Sequence, residues 1–161
     1  MEIQMTIKGL MIDPITNMPI IVLRDDDGQR VLPIWVGIFE ANAIALQMEN
    51  VQTPRPMTHD LLKNVIDDLN AAVERIVVCE LRDNTFYATI HLRSGVGQVP
   101  IDARPSDAIA LALRTNSPIY VAEEVLQTAR SEESGQEATD VTRLQKWLEG
   151  LDEEQLGKYK M

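Results

Sequence analysis

Cysteine and histidine are nearly missing from this chain, and their scarcity removes whole classes of chemistry. Cys79 is the only cysteine, so no disulfide closes within the chain and a zinc–cysteine cluster is excluded. Its place in the apolar run Ile76–Leu81 predicts a buried, inert thiol. Two histidines, His59 and His91, are too few for a histidine-rich metal site. Long apolar runs are absent too. None approaches the ~18 residues of a membrane-spanning helix, and MEIQMTIKGL alternates where a secretory leader would be continuously apolar. A cytoplasmic protein is expected. Basic residues are scarce: 15 Lys and Arg face 25 Asp and Glu, a net charge of −10. Proteins that grip nucleic acid by bulk electrostatics are basic, so this chain meets a polyanion only through a local patch or transiently, as an enzyme does. The phosphate-loop, dinucleotide, zinc-protease and serine-hydrolase motifs are all absent.

What is present is enough apolar sequence for one domain, 45% of the residues. Ile3, Met5 and Ile7 alternate with polar neighbours, which predicts a strand. Pro19–Arg24 and Arg30–Val36 flank Asp25-Asp26-Asp27-Gly28, a hairpin turn. That acidic triplet lacks the later glutamate of a calcium loop. Gly37 opens an alanine-rich helix from Ile38 to about Glu49, and Val51–Met57 is a proline-bearing loop. Thr58 is the expected N-cap of a second helix with Asp60 in its first turn. Leu62, Val65, Ile66, Leu69 and Val73 form its apolar stripe. Arg75–Arg82 and Thr85–Arg93 pair about Asp83-Asn84, with His91 on the polar face. Gln98–Ile101 returns as a strand, Ile119–Val121 is a short one, and Ala122–Ala129 a short helix. The acidic stretch 131–140 reads as a linker. Beyond it Val141, Leu144, Leu148 and Leu151 predict a helical tail over 141–161. Strands and helices interleave without regular βαβ alternation, so the fold class is α+β, a mixed or antiparallel sheet packed with two or three core helices.

The densest chemistry lies in DARPSDAIALALR, Asp102–Arg114. Pro105 suits a first helical turn, where its missing N–H costs nothing, and Ser106 and Asp107 suit capping or charging that turn. The apolar residues Ala108–Leu113 mark a buried helix. Asp102, Arg104, Ser106 and Asp107 thus stand at the mouth of a rigid element, as a chemical site or an ordinary helix start would. His59 begins another helix, whose dipole favours the neutral imidazole and suits a general base; a solvated first-turn residue is the plainer alternative. Glu40, in the otherwise apolar GIFEANAIALQ, pairs with Arg104 or Arg55, binds a cation, or serves as acid or base; as a first-turn acid it also complements the helix dipole. Together Glu40, His59, Asp102 and Asp107 are the candidate catalytic groups. Arg55, Arg104 and Ser106 are candidate substrate anchors. Carboxylates with a divalent cation such as Mg²⁺ or Mn²⁺ would suit metal-assisted phosphodiester hydrolysis.

Two long segments, LPIWVGIFEANAIALQMENVQTPRPMTHDLL (Leu32–Leu62) and IDARPSDAIALALRTNSPIYVAEEVL (Ile101–Leu126), resemble the bifunctional nuclease family. RDNTFYATIHLR (Arg82–Arg93) fits that family's middle hairpin. The resemblance covers about residues 1–130. It implies a compact α+β domain that associates as a homodimer and cleaves RNA and DNA. The competing expectation is a non-catalytic interaction or regulatory module, in which Asp102, Arg104 and Asp107 are a structural capping cluster.

Overall fold

The computed structural model describes residues 1–135 of the chain. In order these form β1 (Glu2–Ile12), β2 (Pro19–Asp25), β3 (Val31–Trp35), α1 (Ile38–Met48), α2 (Thr58–Asp68), β4 (Ala72–Arg82), β5 (Thr85–Ser94), β6 (Gly97–Ala103), α3 (Pro105–Thr115), β7 (Ile119–Ala122) and α4 (Glu123–Gly135). The α+β class holds. One mixed sheet runs β3-β2-β1-β7-β4-β5-β6. It is two antiparallel meanders joined by a short strand: β7 pairs antiparallel with β1 and parallel with β4.

That order decides where the chemistry falls. By the pairing β6–β5–β4–β7, strands β6 and β7 point the same way. A chain leaving the outer edge at β6 can re-enter the middle as β7 only by crossing over the sheet, and such crossovers are usually helical. Here α3 makes the crossing, packed on β4 and β5 with α1 and α2 against it. It is buried nearly all round, from Ala108 to Ala112, as its uniform apolarity required. One main core joins Ile21, Leu23, Ile44, Ile76, Ile90, Ile109 and Leu111, and Val125 and Leu126 of α4 belong to it.

Local sequence explains the element ends. Helices α1, α2 and α3 each stop at an asparagine in the left-handed region, Asn50, Asn70 and Asn116, with φ of 55°, 57° and 51°. After each, the next amide reaches back to the last turn: Val51 to the Leu46 carbonyl, Ala71 to Ile66, Ser117 to Ala112. These are Schellman-type closures with asparagine in the place glycine usually holds. The β4–β5 hairpin turns on Asp83 and Asn84, both with positive φ, the backbone of a two-residue type I′ turn. At the other end of the sheet the Asp13 carboxylate accepts from Ile15 N–H, Thr16 Oγ1 and Trp35 Nε1 at 2.8–2.9 Å. It thereby ties the β1–β2 turn to β3.

Several expectations are corrected. Thr58 is the first helical residue of α2, not its cap; Met57 holds the N-cap position, and its N–H donates to Asp60 Oδ2 at 3.0 Å. Val73 lies in β4 rather than on the α2 stripe, because Asn70 ends the helix first. Of that stripe only Ile66 is buried. Cys79 is exposed: the β4–β5 register shifts between Val78 and Glu80, and β7 pairs no further than Val78, so the thiol stands past the covered part of the strand. His91 is half-buried rather than solvent-facing. The last described helix runs to Gly135, not Ala129, crossing the expected start of the linker at 131. The rest of that linker and the 141–161 tail lie outside the described residues. Among the described residues no helix is long and apolar enough to cross a membrane.

Candidate functional site

Three helix beginnings and the end of the edge strand meet at one cleft of about 710 Å³. The first turn of α1 brings Phe39 and Glu40, α2 brings Met57, His59 and Leu62, β6 brings Ile101 and Asp102, and α3 brings Arg104 and Asp107. Ile90 and Leu92 of β5 also line it. The mouth is polar and the walls are mostly apolar. Three of the four candidate catalytic side chains, Glu40, His59 and Asp107, therefore meet in one concavity, although Glu40 and Asp107 are 67 positions apart in the chain.

The polar groups form a continuous chain. His59 Nε2 donates to Asp107 Oδ1 at 2.9 Å. Arg104 donates to Asp107 Oδ2 through Nε at 2.9 Å and Nη2 at 2.7 Å, and Nη2 also reaches Glu40 Oε1 at 2.7 Å. A carboxylate only accepts, so Asp107 fixes the proton of a neutral His59 on Nε2 and leaves Nδ1 as the basic nitrogen. The imidazole is only 12% exposed and Arg104 is 66% exposed. Burial pushes the Asp107 carboxyl up, but the bonds from His59 and Arg104 outweigh it, and the group sits below the ordinary carboxylate range. Arg104 is held still more firmly protonated by Asp107 and then by Glu40. Its Nη1 makes no bond among the described residues, so two N–H groups of an anchored guanidinium remain for an incoming anion.

Gly37 explains the placement of Glu40. A Cβ on Gly37 would collide with Glu40 Oε2. The carboxylate folds back over the bare backbone at the N-cap of α1, and that pose brings it to Arg104. Of the two partners open to Glu40, Arg104 is the one it meets; Arg55 does not line the cleft. Ser106 is 6% exposed and faces away from the cleft lining, and the N-terminus of α3 has no side-chain cap. Asp102 reaches the cleft lining from β6, but it pairs with Thr89, so its carboxylate lies on the sheet face opposite Ile90, Leu92 and Ile101. The described residues gather no set of three metal-ligating side chains. Mg²⁺ often rests on one or two carboxylates plus substrate phosphate, and the carboxylates that enter this cleft are Glu40 and Asp107.

The sequence offered Asp60 only as a first-turn acid and gave Arg114 no role. Arg114, its side chain 4% exposed, donates through Nε to Asp60 Oδ1 at 2.7 Å, through Nη1 to the Ala110 carbonyl at 2.8 Å and through Nη2 to the Ala43 carbonyl at 3.0 Å. One guanidinium thus ties α3 to α2 and α1 directly beneath the site, and its anchor on α2 is the residue after His59. Asp60 is held below the usual range first by the Met57 amide, against burial, and then by Arg114. The signal was present: Arg114 is seven positions after Asp107, two turns along the same face of α3. A lone cation ending an apolar helix needs a buried partner.

A family model for the bifunctional nuclease domain matches residues 21–134. The chain is 39% identical over 155 residues to an uncharacterized protein of Mycobacterium tuberculosis, covering 92% of this chain and 93% of that one. It is 35% identical over 108 residues to bifunctional nuclease 1 of Arabidopsis thaliana, which covers 64% of this chain but 33% of the plant protein. Bifunctional nuclease 2 of Oryza sativa is 31% identical over 119 residues, 71% of this chain and 36% of its own length. The shared part is about a third of each plant protein, and the family-model match spans the elements that build the cleft.

Proposed function

Since the chain belongs to the bifunctional nuclease domain family, we propose that its cleft hydrolyses phosphodiester bonds of RNA or DNA with little sequence preference. The observation that carries this reading is the His59–Asp107–Arg104–Glu40 chain at the cleft mouth. In it His59 Nδ1 takes a proton from water, whose oxygen attacks phosphorus. Asp107 holds the imidazole in register and stabilises the imidazolium that forms, as in other carboxylate–histidine pairs. Arg104, immobilised by two carboxylates, turns Nη1 to the non-bridging oxygens as charge builds on them. The P–O ester bond breaks, and the departing oxygen takes its proton from solvent. A divalent cation would supply further charge neutralisation at the phosphate, with Glu40 and Asp107 as the carboxylates to hold it.

The test is cleavage of labelled single-stranded RNA, single-stranded DNA and duplex DNA in Mg²⁺, Mn²⁺ or EDTA. Wild type, His59→Ala and Asp107→Asn are compared, with circular dichroism to show that each is folded. General-base catalysis is worth about 10²–10⁴-fold, so His59→Ala should fall by that order. Cleavage that persists unchanged in both variants refutes the assignment.

Homodimerisation is part of the same reading. Leu61, Val65 and Leu69 expose an apolar row on α2 outside the cleft, Leu69 to 73%, and a contiguous patch of this kind marks an interaction surface. Light scattering should find a dimer that Leu69→Glu disperses; a monomeric wild type contradicts it. The same row supports the second reading, a non-catalytic interaction module, which gains if no substrate is cut. We place the protein in the cytoplasm on its single free cysteine; recovery in a membrane or secreted fraction would contradict that.

A further inference from the structure

Strand β2 is apolar without a break from Ile20 to Leu23, the pattern of a strand covered on both sides. Ile21 and Leu23 face the main core under the helices. Ile20, Val22 and Arg24 alternate with them and face the other side of the sheet, away from the cleft. Across the strands Ile20 pairs with Met11 and Trp35, Val22 with Gly9 and Pro33, and Arg24 with Val31. Met11, Ile20 and Val22 are 0% exposed, and they form a second cluster with Val31, against which Trp35 packs. Arg24 Nε is shut off from solvent too, without a hydrogen bond. Yet among the described residues no helix lies over this face. The buried apolar residues of α1, α2 and α3 belong to the main core, and α4 packs on β4 and β7. The β1–β2 turn is no lid either, since Ile15 and Met18 there are exposed. An uncovered antiparallel sheet face would leave such side chains in water. They are closed off within a single chain, so their cover belongs to this chain, of which 26 residues follow Gly135.

We propose that the tail supplies the cover: residues 141–151 lie as an amphipathic helix across β1, β2 and β3 of their own chain. Val141, Leu144, Leu148 and Leu151 recur three and four apart, with Trp147 beside them, and make one apolar side. A helix of that span is about 16 Å long. The buried patch is three strands wide and three residue rows long, about 10 Å by 14 Å. Its middle row offers the point of approach. Gly9 is buried there with no side chain of its own, and its φ is not positive, so the backbone does not demand glycine. A glycine within a strand marks a place where another backbone comes close. Residues 136–140 are the tether. The inference is independent of the nuclease reading, because the covered face is turned away from the cleft. It makes the tail a layer of the domain rather than an arm for partners.

The chain holds two tryptophans, Trp35 and Trp147, so full-length Trp147→Phe reports on Trp35 alone. Adding Leu144→Glu and Leu148→Glu to it should shift the emission to the red and raise iodide quenching severalfold. The thermal midpoint should fall by at least about 4 °C. Lys146→Glu, on the opposite side of the same helix, should change neither. Gly9→Met should displace the tail and reproduce the spectral change from the sheet side. Nuclear Overhauser contacts in the wild type need no variant: the methyls of Ile20 and Val22 should touch those of Leu144 and Leu148. A mixture of labelled and unlabelled chains then tells contacts within a chain from contacts between chains. Contacts within the chain support the proposal. Contacts only between chains assign the cover to a second copy and overturn it. So does their absence, or a Trp35 signal that the two glutamates leave unchanged.

Discussion

Replacing Arg114 with methionine tests the framework of the site more sharply than any change at its mouth. Methionine keeps most of the apolar stem but removes three bonds: to Asp60, to the Ala43 carbonyl and to the Ala110 carbonyl. Breaking a buried ion pair from one side costs about 3–5 kcal/mol. Two features move the value to the lower end. Asp60 is 33% exposed and keeps its Met57 amide, so it can rehydrate, and each carbonyl lies within a helix that already employs it. A loss of about 3 kcal/mol follows, a large part of the roughly 5–15 kcal/mol of a typical domain. With a urea slope of about 2 kcal/mol/M the midpoint falls by about 1.5 M. Arg114→Lys should lose about half as much, because an ammonium cannot span three acceptors in a plane. Asp60→Asn should cost about 1–2 kcal/mol, and the double variant less than the sum, since the two residues are in contact. The functional consequence is separate. His59 adjoins Asp60 on α2, so loosening α2 from α3 parts His59 from Asp107. Hydrogen exchange should show α2 amides opening first, and any cleavage activity should drop more than the folded fraction does. A midpoint within about 0.3 M of wild type, with α2 protection unchanged, would refute the clamp.

Two further outcomes follow from the same geometry. Gly37→Ala should cost little stability, because the colliding atom ends a flexible side chain. It should nevertheless swing Glu40 away from Arg104, changing the KM of cleavage with the thermal midpoint nearly unmoved; a variant with wild-type kinetics would show that the Glu40 pose has no role. Acid should weaken the fold at Asp13, Asp60 and Asp107, all held below the ordinary carboxylate range. A depressed carboxylate binds fewer protons folded than unfolded, so its contribution is full above about pH 4 and is lost as pH falls through the folded value. The urea midpoint should therefore hold from neutrality to about pH 5 and then fall, with a shallower fall in Asp60→Asn; identical slopes in the two proteins would remove Asp60 from the account.

Much of this was legible along the chain because it is enforced within a few residues. Pro105 begins a helix that Asn116 ends, Asp83-Asn84 allows a two-residue turn, and the alternation in β5 sets a buried face of Ala88, Ile90 and Leu92. Glu40, His59, Asp102 and Asp107 stood out for the same reason: each is a charged or titratable group at the edge of an apolar element, and such a group must be explained locally.

Tertiary structure decided what those groups are to one another. His59 and Asp107 meet across 48 positions only because α3 must carry the chain from the edge strand β6 to the central strand β7, over the sheet and against α2. The same crossing chose Arg104 over Arg55 for Glu40, turned Ser106 inward, and made Arg114 a clamp. It left the α2 stripe uncovered, where periodicity alone implied burial, and a register shift put Cys79 in solvent. Periodicity and capping act over one or two turns and specify the elements. Which faces are covered, and which charges meet, depends on strand order, and strand order is settled by pairings between distant segments that no local pattern encodes.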